Sequence, residues 1–182
     1  MPRKRIIAIS GVPGVGKSRV SLILARQLGA DLVSLTELVK TGRIKSAWDS
    51  ERKTMVLEVK DVQRAVDKTM RQKRGQYVIE GLLAHLLKAD IVFILRCDPT
   101  VLRRRLLGRK WPKRKIEENV QAELLDAITV EAAGKKNVYE IDTTHKTARQ
   151  TAATIARILG SVAYGKKFRP GKISWLIEKE IA

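Results

Sequence analysis

Residues 9–20 read ISGVPGVGKSRV, and what these twelve residues do determines how the rest of the chain is read. Before them, Arg5 to Ser10 (RIIAIS) form a short β-branched apolar run that stops at Gly11, the pattern of a strand buried on both faces. After them, Val20, Ile23, Leu24 and Leu28 recur at helical spacing until Gly29 supplies a stop. The segment is therefore strand, glycine-rich loop, helix. In that setting Gly11, Val12, Pro13, Gly14, Val15, Gly16, Lys17 and Ser18 fit G-x-x-x-x-G-K-[ST]. Glycines let consecutive backbone N–H groups turn inward as an anion nest at the positive end of a helix. Lys17 is placed to reach phosphate oxygens as a point charge, and Ser18 to offer its hydroxyl to Mg²⁺. The expected ligands are ATP and Mg²⁺.

Working outward, Asp31 to Leu35 (DLVSL), Tyr77 to Glu80 (YVIE), Asp90 to Leu95 (DIVFIL) and Asn137 to Ile141 (NVYEI) read as four more strands. Helical patterns run from Asp98, with Pro99 in first position, to Leu107, through Ile116, Val120, Leu124 and Ile128, and from about Thr147 to Leu159. Strands alternating with helices predict an α/β fold, a five-stranded parallel sheet flanked by helices. Residues 36–75 change character. They are polar and charged, with Val59, Val62, Val66 and Met70 marking one amphipathic helix, and they read as an insertion outside the sheet that binds the phosphate acceptor. The whole of 1–182 is expected to be one domain, with a short lid at 105–118 and a basic, aromatic tail at 160–182 containing Tyr164, Phe168 and Trp175.

Composition narrows the class. The formal net charge is +18, from 37 Lys and Arg against 19 Asp and Glu, which favours polyanionic partners such as nucleic acid or a ribonucleoprotein. A solvated basic surface is the bland alternative. The single cysteine, Cys97, forms no internal disulfide, and one Cys with two His cannot assemble a zinc cluster. The apolar run before Gly11 is too short for a signal-peptide core or a membrane span. A cytoplasmic protein without membrane contact is expected.

The phosphate cradle is shared by GTPases, helicases, transporters and small kinases. No [NT]-K-x-D base-recognition element is present, and the length leaves no room for a helicase's second lobe. A small kinase remains. Glu80, at the carboxyl end of the third strand, is the acid expected near Mg²⁺ or the attacking group. Its alternative is a strand-end carboxylate pairing with Lys17 or an arginine. Arg105 and Arg109, four residues apart in a stretch dense in cations, suit a flap over the transferring phosphoryl group. The competing reading is an RNA-contacting patch with Trp111 as stacking platform. His85 in GLLAHLL reads more readily as a packed or capping residue than as a catalyst, and His145 as solvated.

The stretches GVPGVGKS, VIEG, ILRCDPTVLRRRLLGRKWPKRKIEENVQAELL and VYEIDTT together resemble the adenylate kinase isoenzyme 6 family of archaea and eukaryotes. The resemblance implies a P-loop nucleoside monophosphate kinase fold with an acceptor insertion and short lid. It also implies transfer of phosphate from ATP to AMP or another nucleoside monophosphate, ATP hydrolysis, and a role in small ribosomal subunit assembly with a ribosomal protein and pre-rRNA as partners. By position, Gly11 to Ser18 hold ATP and magnesium, Glu80 is the Walker B acid reaching the metal via water, and Arg105 and Arg109 begin the lid. Asp142, Thr143 and Thr144 lie by the adenine, and Arg52, then Arg43, with Arg64 a further candidate, are expected at the monophosphate. One position departs from the family: many members carry His two residues after the Walker B acid, and here that residue is Leu82. Two other functions stay open. One is an ATP-driven switch binding ribosomal protein and pre-rRNA without kinase action; the other is a kinase of another small molecule on the same core.

Overall fold

The computed structural model describes residues 4–44, 47–49, 54–70 and 75–176. Five strands form one parallel sheet: β1 (Arg5–Ser10), β2 (Asp31–Ser34), β5 (Gln76–Glu80), β6 (Ile91–Arg96) and β7 (Val138–Asp142), in the order β2-β5-β1-β6-β7. Two short strands, β3 (Ala47–Asp49) and β4 (Thr54–Val56), pair antiparallel in the insertion. β1 is central because its residues are apolar on both faces: Ile7, Ala8 and Ile9 are fully buried, and Ile7 sits opposite Val78 on one side and Ile91 on the other. The sequence order reverses around β1, so the loops leaving the carboxyl ends of β1, β5, β6 and β7 converge on one crevice.

Helices cover both faces. α1 (Lys17–Leu28) buries Val20, Ser21, Leu24 and Ala25 and ends at Gly29, whose φ of 60° lets its N–H reach back to the last turn. α2 (Leu35–Lys40) and α3 (Val59–Met70) belong to the insertion, and α3 buries Val62, Val66 and Met70 as the periodicity predicts. β2 stops one residue earlier than DLVSL suggests. Ser34 caps α2 by accepting from Glu37 N–H at 3.4 Å, so Leu35 already belongs to the helix.

α4 (Pro99–Leu107) starts where the sequence places it, with Asp98 accepting from the Thr100 and Val101 N–H groups at 2.9 Å. The next expected helix is two helices, α5 (Lys113–Leu124) and α6 (Ala127–Glu131). The break is at Asp126, which adopts φ 55° and turns its carboxylate onto Arg96. Of the expected lid at 105–118, only 108–112 is non-helical; α4 and α5 flank it, braced by a two-pronged Arg103–Glu117 pair at 2.9 and 2.6 Å.

α7 (Ala148–Gly160) opens with a reciprocal capping box between Thr147 and Gln150. It leads into α8 (Val162–Gly165) and then a strap that runs along the outer strand β7. Arg169 donates to the Lys136 carbonyl at 2.7 Å, Gly171 N–H to Glu140 at 2.9 Å, and the Trp175 indole N–H to Glu123 Oε1 at 3.0 Å. Within the expected basic, aromatic tail, Trp175 is only 6% exposed and forms part of the interior. Among the described residues, no helix is long and apolar enough to cross a membrane.

Candidate active site

A cleft of about 970 Å³ opens over the carboxyl ends of the strands, lined by residues 13–20, Thr36, Glu80, Leu82, Arg105, Arg109, Trp111, Thr143 and the start of α7. Its floor is the loop from Gly11 to Gly16. Gly11 has φ 137°, and a Cβ there would stand 2.4 Å from the Leu95 carbonyl oxygen, so this position admits no side chain. Gly16 occupies the N-cap of α1 at φ 101°, where no side chain caps the helix and no acid stands in the first turn. The first N–H groups of α1 are thus left for an anion in the cleft.

Lys17 is half-buried in this wall, its Nζ donating to the Gly11 and Val12 carbonyls at 2.8 and 3.0 Å. Burial pushes the ammonium down to about 8; Glu80 partly offsets the shift and Arg109 adds to it. Such a desolvated cation is poised for an anionic ligand. Glu80, 3% exposed, accepts from Ser18 Oγ at 3.2 Å and from Ser34 Oγ at 2.5 Å. It therefore pairs with hydroxyls, rather than with Lys17 or an arginine. No cluster of three His, Cys, Asp or Glu suited to a metal occurs among the described residues. The pair Ser18–Glu80 fits a magnesium ion that takes its other ligands from phosphate and water.

The sequence profile of the AAA domain family matches residues 7–126. A protein named "Putative adenylate kinase" from Archaeoglobus fulgidus is 39% identical over 178 residues, spanning 96% of this chain and 94% of its own. Another of that name from Methanocaldococcus jannaschii is 34% identical over 169 residues, spanning 93% and 92%. The chain belongs to this archaeal adenylate kinase family. Among solved structures, shikimate kinase from Acinetobacter baumannii superposes with TM-score 0.61 at 19% identity over 85% of this chain and 92% of its own. Deoxyadenosine kinase from M. mycoides gives 0.57 at 15% identity over 86% and 99%. These two likenesses establish the P-loop kinase fold.

In this adenylate kinase family member, the residues expected at the site separate into three groups. Residues 13–18, Glu80, Arg105, Arg109 and Thr143 line the cleft. Gly11 and Val12 lie beneath it and hold Lys17 through their carbonyls. Asp142 and Thr144 are off the wall and brace the loop: Asp142 Oδ1 accepts from Thr144 N–H and hydroxyl, and Thr144 Oγ1 accepts from Asp98 N–H at 2.9 Å. Thr143 ties this loop to the phosphate loop, its hydroxyl lying 3.1 Å from the Val15 carbonyl. Arg105 donates to the Thr143 and Thr144 carbonyls at 3.0 and 2.9 Å, locking the end of α4 to that loop. Arg109 lies 5.5 Å over the Trp111 ring, with Lys115 at 4.7 Å. Trp111 thus lies beneath two cations on the cleft wall, where sequence had allowed an RNA platform.

Arg43 is exposed on the turn after α2 and is not on the cleft wall; Arg64 is exposed and pairs with Asp61; Arg52 lies outside the described residues. His85 is fully buried, its Nδ1 2.9 Å from Ser10 Oγ and its Nε2 2.7 Å from Glu131, so it is packed and away from the cleft. Thr36, Lys146, Thr147 and Thr151 line the cleft without having been singled out by sequence. Only Thr147, as a helix start, carried any local signal.

The state of Lys17 makes nucleotide binding pH-dependent. A polyphosphate beside the ammonium favours its charged form, so the pKa rises in the complex. Below about pH 8 the lysine is already protonated and affinity is flat; above it, binding must take up a proton and affinity falls, approaching about tenfold per pH unit. Calorimetry at about pH 9 in two buffers of different ionisation heat should read close to one proton taken up, and almost none at about pH 7. Equal uptake at both pH values would contradict this assignment.

Proposed function

We propose that the chain transfers the γ-phosphate of ATP to AMP, yielding two ADP, and that water accepts the phosphate slowly when AMP is absent. The observation that carries this reading is the single cleft whose wall holds Lys17, the Ser18–Glu80 pair, Arg105 and Arg109. At Thr36 the same cleft reaches the insertion expected to hold an acceptor. Catalysis of this type is positioning and charge stabilisation. The N–H groups of α1 and Lys17 hold the phosphates, and Ser18 with Glu80 holds magnesium, which supplies charge neutralisation on the phosphate oxygens. Arg105, fixed to the 143–144 carbonyls, sets the lid's root, and Arg109 brings a guanidinium over the transferring group. Trp111 helps exclude water.

Leu82 is 44% exposed on the cleft wall at the position where the resembled family often has His, and buried His85 cannot take its place. Hydrolysis is therefore expected to be the slower reaction. Measuring ADP formed from ATP with and without AMP, across magnesium concentrations, tests the proposal. A clear stimulation by AMP is expected; none at any magnesium concentration would sink the kinase reading.

A second reading has one observation of its own, the +18 charge: ATP-dependent binding to a small-subunit ribosomal protein and pre-rRNA during ribosome assembly. Capture of small-subunit components that differs between ATP and ADP is its expected result, and nucleotide-insensitive or absent capture would count against it.

A further inference from the structure

The positive charge is unevenly placed. Between Ala132 and Leu176 the chain carries nine Lys or Arg and two acids, Glu140 and Asp142. Both acids are committed internally: Glu140 is buried against Arg96 and Thr129, and Asp142 caps its own loop through Thr144. Six of the nine cations, from before β7, the end of α7 and residues 166–172, are linked through the strap. Lys136 immediately precedes β7, which puts it at the amino ends of the parallel strands, whereas the cleft lies at their carboxyl ends. Arg169 reaches the Lys136 carbonyl, and Lys172 reaches the Lys166 carbonyl at 3.2 Å, with Lys167 alongside. Arg157, on the last turn of α7, lies 4.2 Å over the Tyr164 ring, itself packed 5.3 Å from Phe168.

The partners of these cations matter as much as their number. Among the described residues none of the six pairs with a carboxylate, whereas Lys40, Arg64, Arg96, Arg103 and Arg114 each do. Carbonyls and aromatic rings hold several of the side chains in place without compensating their charge. Lys135 is not part of the set, since its Nζ is drawn away from the strap, to the Leu87 carbonyl at 2.7 Å. Fixed, uncompensated like charges repel one another in the free protein, and a ligand with closely spaced anionic groups relieves that repulsion.

We propose that this strap, from Lys136 and Arg157 through Lys172, is a docking surface for the phosphodiester backbone of RNA, at the end of the sheet away from the nucleotide cleft. The choice of RNA rests on the second reading above, whereas the location rests on the charges. An anionic bilayer is the less favoured ligand, because the strap's rings lie beneath guanidinium groups or against one another instead of projecting as apolar anchors.

The test uses the whole chain and a fluorescein-labelled single-stranded RNA of about twenty nucleotides, read by anisotropy over a salt series. With about five phosphates neutralised, log K should fall against log salt with a slope near −3.5. The K166E/K167E variant should lower the steepness by about 1 to 2 and weaken binding at least tenfold, with AMP-stimulated ADP formation unchanged. The R26E/K60E variant carries the same change in net charge away from the strap and should bind as the parent does. If the parent does not bind RNA, the RNA reading itself fails. If it binds and both variants weaken equally, the second reading stands but the assigned surface is overturned. Loss of binding to phosphatidylserine vesicles in K166E/K167E, with RNA binding intact, would also overturn the proposal.

Discussion

Lys17→Met is expected to lower the rate of phosphate transfer by about a hundred- to a thousandfold while leaving the fold intact, the size seen when one preorganised electrostatic donor is removed from a water-poor site. Met keeps the length and the apolar stem of Lys17 and removes only the ammonium. In the free protein that ammonium is a burden: it is desolvated, its pKa is pushed down to about 8, and its donors are satisfied by only two backbone carbonyls, those of Gly11 and Val12. K17M is therefore expected to melt at the parent's temperature or above it. The two readouts together are diagnostic. Steady-state ADP formation should collapse, thermal unfolding should hold, and the proton uptake on nucleotide binding at about pH 9 should vanish. A fall in melting temperature parallel to the loss of activity would mean that Lys17 is chiefly a structural residue.

The largest stability effect is expected at Arg96. Its side chain is 2% exposed, yet it meets three carboxylates: Glu123 at 2.7 Å through Nε, Glu140 at 2.5 Å, and Asp126. It also donates to the Glu123 carbonyl and lies 6.0 Å from the Trp175 ring, so one side chain joins β6, α5, β7 and the strap. Removing it leaves Glu123 and Glu140 buried without a counter-charge. Arg96→Met should cost about 3–5 kcal/mol, because breaking one partner of a buried ionic group strands the others. With an unfolding slope of about 2 kcal/mol per molar urea, the midpoint should drop by about 2 M.

The sign of its pH dependence follows from the same carboxylates. Burial already pushes the Glu123 carboxyl up, against the pull of Arg96. Without Arg96 the folded-state pKa rises further, so the folded state binds protons more tightly than the unfolded one and stability falls as pH rises. R96M should accordingly be less impaired at about pH 5 than at about pH 8, and R96M/E123Q should recover part of the loss. A midpoint insensitive to both changes would show that the network is not ionic in its energetics.

The two sites differ in how far sequence exposed them. Lys17 was legible because every property that defines its role is local: preceding strand, glycines at fixed offsets, following helix. Arg96 stood in plain view at the end of a strand, but its partners lie 27, 30 and 44 residues onward with no periodic relation to it. The helix break at Asp126 has the same origin. The apolar pattern of Ile116, Val120, Leu124 and Ile128 continues through it, and only the pull of Arg96 on Asp126 explains the turn. Trp175 was named only as part of a basic, aromatic tail, and nothing local indicates that its indole N–H serves the same buried network at Glu123.

Sequence by itself determined the five strands of the sheet, most of the helices that alternate with them and the phosphate loop, because backbone periodicity and loop chemistry are short-range properties. The tertiary structure alone decided which residues share a wall. It set Asp142 and Thr144 as braces beside the lining Thr143, fixed Arg105 to their loop, buried His85, and drew the tail along β7 as a strap. Those outcomes depend on burial and on pairings across 33 to 46 residues, where charge satisfaction and packing, acting together, choose among partners that a linear pattern leaves equivalent.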